Sequence, residues 1–248
     1  MALKHINLPQ DYFEFKQFKV CQAGAAMKVS TDACIQAALA AIHLEKIAPK
    51  SLLDIGTGTG LLSLMLAQKL QTTLITAIDI EVEAVEQAKH NFRNSPWKDR
   101  LQAAQIALQD LSNDETYEAI ICNPPFFHKH LGSSEGPRHT ARHDDSLSKE
   151  DLFQNAKRLL SHNGSLCVLY PQNEWAQALQ VATAVGFKLY SKVEIRPNVQ
   201  KAVNRMVGFF AQQPQPTIKD TLLTIYEYPT KEYTPSFTKL LKDYYLYL

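Results

Sequence analysis

The chain has 248 residues, 45% of them hydrophobic, and a formal net charge of +1. That length and apolar content can bury the core of one compact globular protein, while the near-neutral balance excludes a nucleic-acid partner held by global attraction and leaves only a local patch. The four cysteines, Cys21, Cys34, Cys122 and Cys167, lack the paired spacing of a metal site or disulfide frame and read as reduced residues of a cytosolic protein. No apolar stretch reaches membrane-spanning length and the start lacks a signal-peptide pattern, so a cytoplasmic chain without a membrane or metal partner is expected.

In chain order, Phe13, Phe15, Phe18 and Val20 alternate loosely with Lys16, Gln17 and Lys19, as in a small hairpin strand. Lys28-Val29-Ser30-Thr31-Asp32 then leads into an apolar helix from Ala33 to Leu44, with Thr31 or Asp32 as the natural N-cap. From about residue 51 the pattern alternates. Strands are predicted near 51–55, 74–79, 101–107, 118–122, 164–170, 186–195 and 202–211, and helices near 60–70, 81–94, 148–161 and 172–185. Ser148 with Asp151 caps the third of these helices, and Asn163-Gly164 is expected to end it. Trp175 is assigned to the core. Pro197-Asn198-Val199-Gln200 suits a hairpin link between the last two strands. No repeat or low-complexity linker divides the chain.

Asp54-Ile55-Gly56-Thr57-Gly58-Thr59-Gly60 joins the first of these strands to its helix. A P-loop would need Lys-Ser/Thr after its last glycine, and none follows. A dinucleotide fingerprint would need glycine where Leu61 stands. The remaining pattern, Asp-x-Gly-x-Gly-x-Gly, resembles the S-adenosylmethionine loop of Rossmann-like methyltransferases. Asp79 closes the neighbouring strand beside that loop, where a carboxylate can accept both ribose hydroxyls, and Ile80 follows it. A helix N-cap is the competing role for Asp79. For the start of the first helix two readings stand together: simple capping, or a helix end that lies with Lys28 and Thr31 over the cofactor's methionine portion.

Asn123-Pro124-Pro125-Phe126 follows the buried strand Ala119-Ile120-Ile121-Cys122. The prolines stiffen the loop and leave carbonyls free to accept. The Asn123 side-chain oxygen and the Pro124 carbonyl supply two acceptors, and Phe126 supplies a flat face. Together they form a slot for a planar ring bearing an exocyclic amino group. An amino-group methyltransferase site fits that description.

The run Phe15-Lys16-Gln17-Phe18, the run Ala26-Met27-Lys28-Val29-Ser30-Thr31-Asp32, the glycine loop, Asn-Pro-Pro-Phe and the ending Tyr233-Thr234-Pro235-Ser236-Phe237 with Leu240-Leu241-Lys242-Asp243-Tyr244-Tyr245-Leu246 occur in one order. Nearly end to end, the chain resembles the bacterial tRNA(Val) adenine-N6 methyltransferases, which act on adenine 37 beside the anticodon. The resemblance implies an α/β, Rossmann-like class I methyltransferase fold: a seven-stranded, mostly parallel sheet with a terminal antiparallel hairpin and helices on both faces. Residues 1–50 would cover the cofactor site, 51–215 would form the sheet domain, and 216–248 would dock on it as a tail, giving one domain overall. It implies S-adenosylmethionine as cofactor, held by Lys28, Thr31, Asp54, Gly56, Thr57, Gly58, Gly60, Asp79, Ile80 and Asn123. It also implies catalysis by Asn123, Pro124, Pro125 and Phe126, valine tRNA as partner, and a monomer.

Three departures from the family pattern stand out. Ser30 takes a place the family gives to glycine, Ile106-Ala107 replaces Ala-Asp with Asp110 the nearest acid, and Phe126 stands where tyrosine is common. The segment Phe127 to Leu147 offers Lys129, Arg138 and Arg142 as RNA phosphate contacts. It also holds His128, His130, His139 and His143, whose metal reading is the weaker one without a nearby cysteine. The alternatives are an rRNA adenine-N6 or guanine-N2 methyltransferase, a protein glutamine-N5 methyltransferase, and a noncatalytic RNA-binding protein on the same scaffold. The intact glycine loop, Asp79 and Asn123 together argue against the last.

Overall fold

A computed structural model describes residues 11–23, 27–124, 147–215 and 220–248. Two short antiparallel strands, β1 (Tyr12–Glu14) and β2 (Lys19–Cys21), form the expected hairpin, and α1 (Thr31–Leu44) follows. The N-cap of α1 is Ser30 rather than Thr31 or Asp32. Its side chain accepts from the Ala33 N–H, and its φ of −122° is extended backbone that needs no glycine. The buried stripe of α1 is rich in alanine (Ala33, Ala37, Ala38, Ala40, Ala41). Alanine favours the helix and lets its backbone lie close to neighbouring elements.

The main sheet alternates with helices: β3 (Ser51–Ile55), α2 (Leu61–Lys69), β4 (Leu74–Asp79), α3 (Val82–Arg93), β5 (Leu101–Gln105), β6 (Tyr117–Cys122), α4 (Lys149–Leu159), β7 (Leu160–Pro171), α5 (Gln172–Val185), β8 (Lys188–Arg196), β9 (Arg205–Ala211) and β10 (Thr221–Thr224), with α6 (Pro235–Leu241) near the end. The strand order is β10-β8-β9-β7-β6-β3-β4-β5. β3 to β7 run parallel, while β9 is antiparallel to both β7 and β8. The sheet thus has eight strands instead of seven. The extra one, β10, adds a parallel edge to β8 through the short segment 221–224, too brief to stand out as an apolar run.

Helices cover both faces. On one, α1, α2, α3 and α6 enclose Leu52, Ala119, Ile121, Cys167 and Leu169. On the other, α4 and α5 enclose Leu53, Ile55, Ile120, Cys122 and Val168. Burial on both faces explains why these strands read as continuous apolar runs. Each fully buried Leu or Ile contributes about 1.5–3 kcal/mol. Trp175 is in the core as expected and lies against Gly208, where an added Cβ would overlap its ring.

Two expected boundaries move. α4 ends at Leu159 and passes straight into β7, so Asn163-Gly164 is no helix cap. Gly164 instead serves close packing, since a Cβ there would lie 2.7 Å from Leu160 Cδ1 and 3.0 Å from the Glu118 carbonyl oxygen, next to the register shift between β6 and β7. Similarly, β5 stops at Gln105, and a short 3-10 turn, Leu108–Asp110, follows. The Arg158 guanidinium pins that connection by donating to the carbonyls of Leu108, Gln109 and Leu111.

The hairpin and the end of the chain meet. Phe15 bridges to Tyr245, the Lys16 N–H donates to the Tyr244 carbonyl over 2.8 Å, and the Tyr244 hydroxyl reaches the Met65 carbonyl over 3.2 Å. No helix among the described residues is long and apolar enough to cross a membrane.

Candidate active site

The carboxyl ends of β3, β4 and β6 lie side by side, because β3 is hydrogen-bonded to both of the others. Each end carries one predicted site feature: the glycine loop after β3, Asp79 closing β4, and Asn123 following β6. The pairing Ile55↔Cys122 places Asn123 opposite the point where β3 gives way to Gly56. Open α/β sheets bind their ligands outside these strand ends.

Gly56, Gly58 and Gly60 have φ of 68°, 54° and 81°, all left-handed. At Gly60 space is also a constraint, since a Cβ would lie 2.5 Å from Phe92 Cε1. At Gly58 a Cβ would meet nothing within 4 Å, so the loop presents an open face there. The Gly56 and Thr57 N–H groups both donate to the Ile78 carbonyl, over 2.9 and 3.0 Å.

Asp79 is not a helix N-cap. That position belongs to Glu81, and Asp79 Oδ1 accepts from the Glu81 N–H over 3.1 Å while Oδ2 accepts from the Gly58 N–H over 2.9 Å. The carboxylate therefore joins the glycine loop to the end of β4. Half-exposed Ile80 follows, its carbonyl accepting from Gln105 Nε2 over 3.2 Å. Asp110 is exposed on the turn after β5.

Asp54 lies beneath the loop with no exposed surface. Its Oδ2 accepts from the Thr57 hydroxyl over 2.7 Å and from the Ser63 hydroxyl over 2.6 Å, whereas Oδ1 is buried with no partner among the described residues. Burial pushes the carboxyl up to about 6; the two hydroxyl donors oppose that rise and nearby Asp79 adds to it.

Asn123 Oδ1 is likewise buried and has no hydrogen-bond partner among the described residues. Leaving a buried acceptor unmatched costs roughly 1–3 kcal/mol. Along β6 the residues alternate, with Ala119 and Ile121 on the α1–α2 face, so Asn123 continues on that face, the same side as the glycine-loop helix. Pro124 is buried beside it. Pro125, Phe126, Lys129, Arg138, Arg142 and the four histidines of that segment lie outside the described residues.

Lys28 and Thr31 have protein partners. Lys28 Nζ contacts Asp11 Oδ2 over 2.6 Å, and Asp11 Oδ1 also accepts from Gln22 Nε2 over 3.0 Å. Those two donors hold the Asp11 carboxyl below its usual range. The Thr31 side chain lies near the Tyr245 hydroxyl, and Asp32 pairs with Arg205 over 2.7 Å. The residues heading α1 are thus tied to the hairpin, the chain end and β9.

Asn91 of α3 escaped the sequence reading. Its Nδ2 donates to the Thr59 carbonyl over 2.8 Å and to the Cys21 carbonyl over 2.9 Å, and its Oδ1 accepts from the Cys21 N–H over 2.9 Å. One amide thus joins the glycine loop to the hairpin. The available signal was an amide on the buried stripe of α3 marked by Val85, Ala88 and Phe92. Among the described residues, no group of three or more His, Cys, Asp or Glu could hold a metal ion.

The orphaned acceptors of Asp54 and Asn123, the open face at Gly58 and the acid of Asp79 suit a ligand that brings donors, including a cationic one, to the strand ends. S-adenosylmethionine, with its ammonium group and ribose hydroxyls, has that donor set.

Comparison with known proteins bears on the same region. The family profile described as the methyltransferase small domain matches residues 29–184. A tRNA1(Val) (adenine(37)-N6)-methyltransferase of Vibrio vulnificus is 38% identical over 98% of this chain and 99% of its own length. One of Christiangramia forsetii is 36% identical over 95% and 98%. Among solved structures, a predicted O-methyltransferase of Agrobacterium tumefaciens matches with a TM-score of 0.67 at 17% identity, covering 86% of this chain and 96% of that one, a likeness of fold. With that fold, the profile over the glycine loop and Asn123, and similarity running nearly end to end, the chain belongs to the tRNA1(Val) (adenine(37)-N6)-methyltransferase family.

Proposed function

We propose that the chain methylates the N6 amino group of adenine 37 in tRNA1(Val), using S-adenosylmethionine. The observation that carries this reading is the buried Oδ1 of Asn123, without a partner among the described residues, one residue past the end of β6 and beside the glycine loop. A buried acceptor is matched when a ligand amino group donates to it. The full-length relatives favour this substrate over the ribosomal and protein-glutamine alternatives.

When bound, the cofactor supplies a methyl group already activated on a sulfonium. The chain's task is to hold the acceptor nitrogen in line with it. Asn123 Oδ1 and the Pro124 carbonyl each accept one N6 hydrogen, turn the nitrogen lone pair toward the methyl, and stabilise the positive charge that grows on nitrogen. After transfer the nitrogen loses a proton to solvent, and no side-chain base is needed. Phe126 stacks on the splayed-out adenine and offsets part of the unstacking cost. The glycine loop with Thr57, together with Asp54, Asp79 and Ile80, holds the cofactor. Lys28 and Thr31 border it at the head of α1, and Lys129, Arg138 and Arg142 meet tRNA phosphates. The enzyme works as a monomer in the cytoplasm, a compartment that suits the free thiols of Cys34, Cys122 and Cys167.

The test is methylation of total tRNA from a strain lacking this gene, with labelled cofactor, followed by nuclease mapping and mass spectrometry. Label in N6-methyladenosine at position 37 of tRNA1(Val) is expected. No label in tRNA, or label at a position other than adenine 37 of tRNA1(Val), would refute the assignment.

A further inference from the structure

Gln36 sits in the second turn of α1 and has no exposed surface. Its Nε2 donates to the Cys122 carbonyl over 2.8 Å and lies 4.0 Å from Cys167 Sγ. Its Oε1 is buried and has no partner among the described residues. An apolar residue of similar length would fill this buried space without burying an orphaned oxygen, so packing alone does not explain the amide. The bond it makes does. The Cys122 carbonyl belongs to the peptide unit whose nitrogen is that of Asn123, and β6 ends there, so the strand ladder stops where the catalytic turn begins. Ile121 and Cys167 face α1, and Asn123 continues on that face. Gln36 therefore grips the turn from the side on which the Asn123 side chain projects.

We infer that Gln36 is a positioning residue for the methyl transfer: by holding the Cys122 carbonyl it fixes the Cys122–Asn123 peptide plane and so the direction of the Asn123 acceptor. This rests on the amino-methyltransferase reading of Asn123. Gln36 touches neither substrate nor cofactor, and its influence is confined to orientation. Small misplacements of an aligning group slow a reaction that depends on in-line geometry.

The test compares the full-length protein with Gln36→Leu, which keeps the bulk and lacks the donor. The turnover number per mole of folded enzyme is expected to fall about 10-fold, as for the loss of about 1.4 kcal/mol of alignment, with the tRNA KM and the affinity for S-adenosylhomocysteine close to wild type. A second readout does not depend on activity. Cys122-Asn123 is the only Cys-Asn dipeptide in the chain. Labelling cysteine carbonyls with carbon-13 and asparagine with nitrogen-15 therefore gives a single backbone correlation in NMR. That carbonyl signal should move upfield in Gln36→Leu as its hydrogen bond is lost, and the Asn123 amide should broaden or split.

Wild-type turnover, a loss that merely tracks the folded fraction, or an unmoved carbonyl signal would each overturn the inference. If Gln36→Leu fails to fold, Gln36→Met removes the same donor and carries the same readouts. Failure of the wild-type protein to methylate tRNA would refute the proposed reaction instead, and the NMR comparison would still decide whether Gln36 holds the turn.

Discussion

Replacing Asp54 by asparagine should stabilise the fold while weakening the site. Its carboxyl is wholly buried and raised from 3.8 to about 6, first by desolvation and against the pull of the Ser63 and Thr57 hydroxyls. At 1.36 kcal/mol per tenfold change, the rise corresponds to about 3 kcal/mol in favour of the protonated form. The sign follows from proton binding. Between about pH 4 and 6 the native state holds a proton that the unfolded chain has released, so this group's contribution to stability declines as pH rises through that window and stays low above it. An amide in its place would keep the shape without the charge. Urea unfolding at pH 8 should show the Asp54→Asn variant more stable than wild type by up to about 3 kcal/mol, and the advantage should vanish near pH 4, where the wild-type carboxyl is protonated. Calorimetry at pH 8 should meanwhile show S-adenosylhomocysteine binding weakened at least about tenfold, a loss of one charge-assisted contact. A variant less stable than wild type at pH 8 would refute the reasoning, because it would mean that the hydroxyl bonds to the carboxylate outweigh its burial.

Asn123→Ala should reduce turnover by about two orders of magnitude or more and leave cofactor affinity nearly intact, a split visible in kcat against the calorimetric Kd; near-normal turnover would remove the role assigned to the acceptor. Asp79→Ala should weaken cofactor binding strongly and leave the Gly58 N–H without its acceptor, measurable by calorimetry on the folded variant. Gly60→Ala should lower the melting temperature, since it combines a left-handed φ with a Cβ 2.5 Å from Phe92 and costs about 1–3 kcal/mol. Arg138→Ala with Arg142→Ala should weaken tRNA binding and flatten its salt dependence without changing cofactor affinity, as read from titrations at several salt concentrations.

The central sheet was legible because its strands are buried on both faces, and apolar runs such as Ala119–Cys122, or Leu52–Ile55 interrupted only by Asp54, have few other readings. The glycine loop, Asp79 and Asn123 were legible because each closes or follows such a run. Boundaries set by tertiary packing were not. Gly164 looked like a helix stop, yet the glycine serves the close approach of Leu160 and the β6 backbone. β10 was missed because four residues carry too little pattern without the β8 edge they pair with. Ser30 looked like a loss beside glycine, although its extended φ suits it to cap α1. Asn91 and Gln36 were hidden for a shared reason. Each is an amide on a largely apolar helix stripe, and its purpose appears only when its distant carbonyl partner is known.

The meeting of Phe15 and Lys16 with Tyr244 and Tyr245 sets a timetable for synthesis. Chains emerge from the ribosome amino end first, and the hairpin's partners appear only after every strand of the main sheet has been made. Until then Phe15, which is 2% exposed in the finished fold, and its stacked neighbour Phe18 lack part of their cover. The strands that form the site have all been made well before that contact can close. Chains truncated before residue 244 should therefore leave the hairpin open to protease, and chains that extend past Tyr245 should protect it.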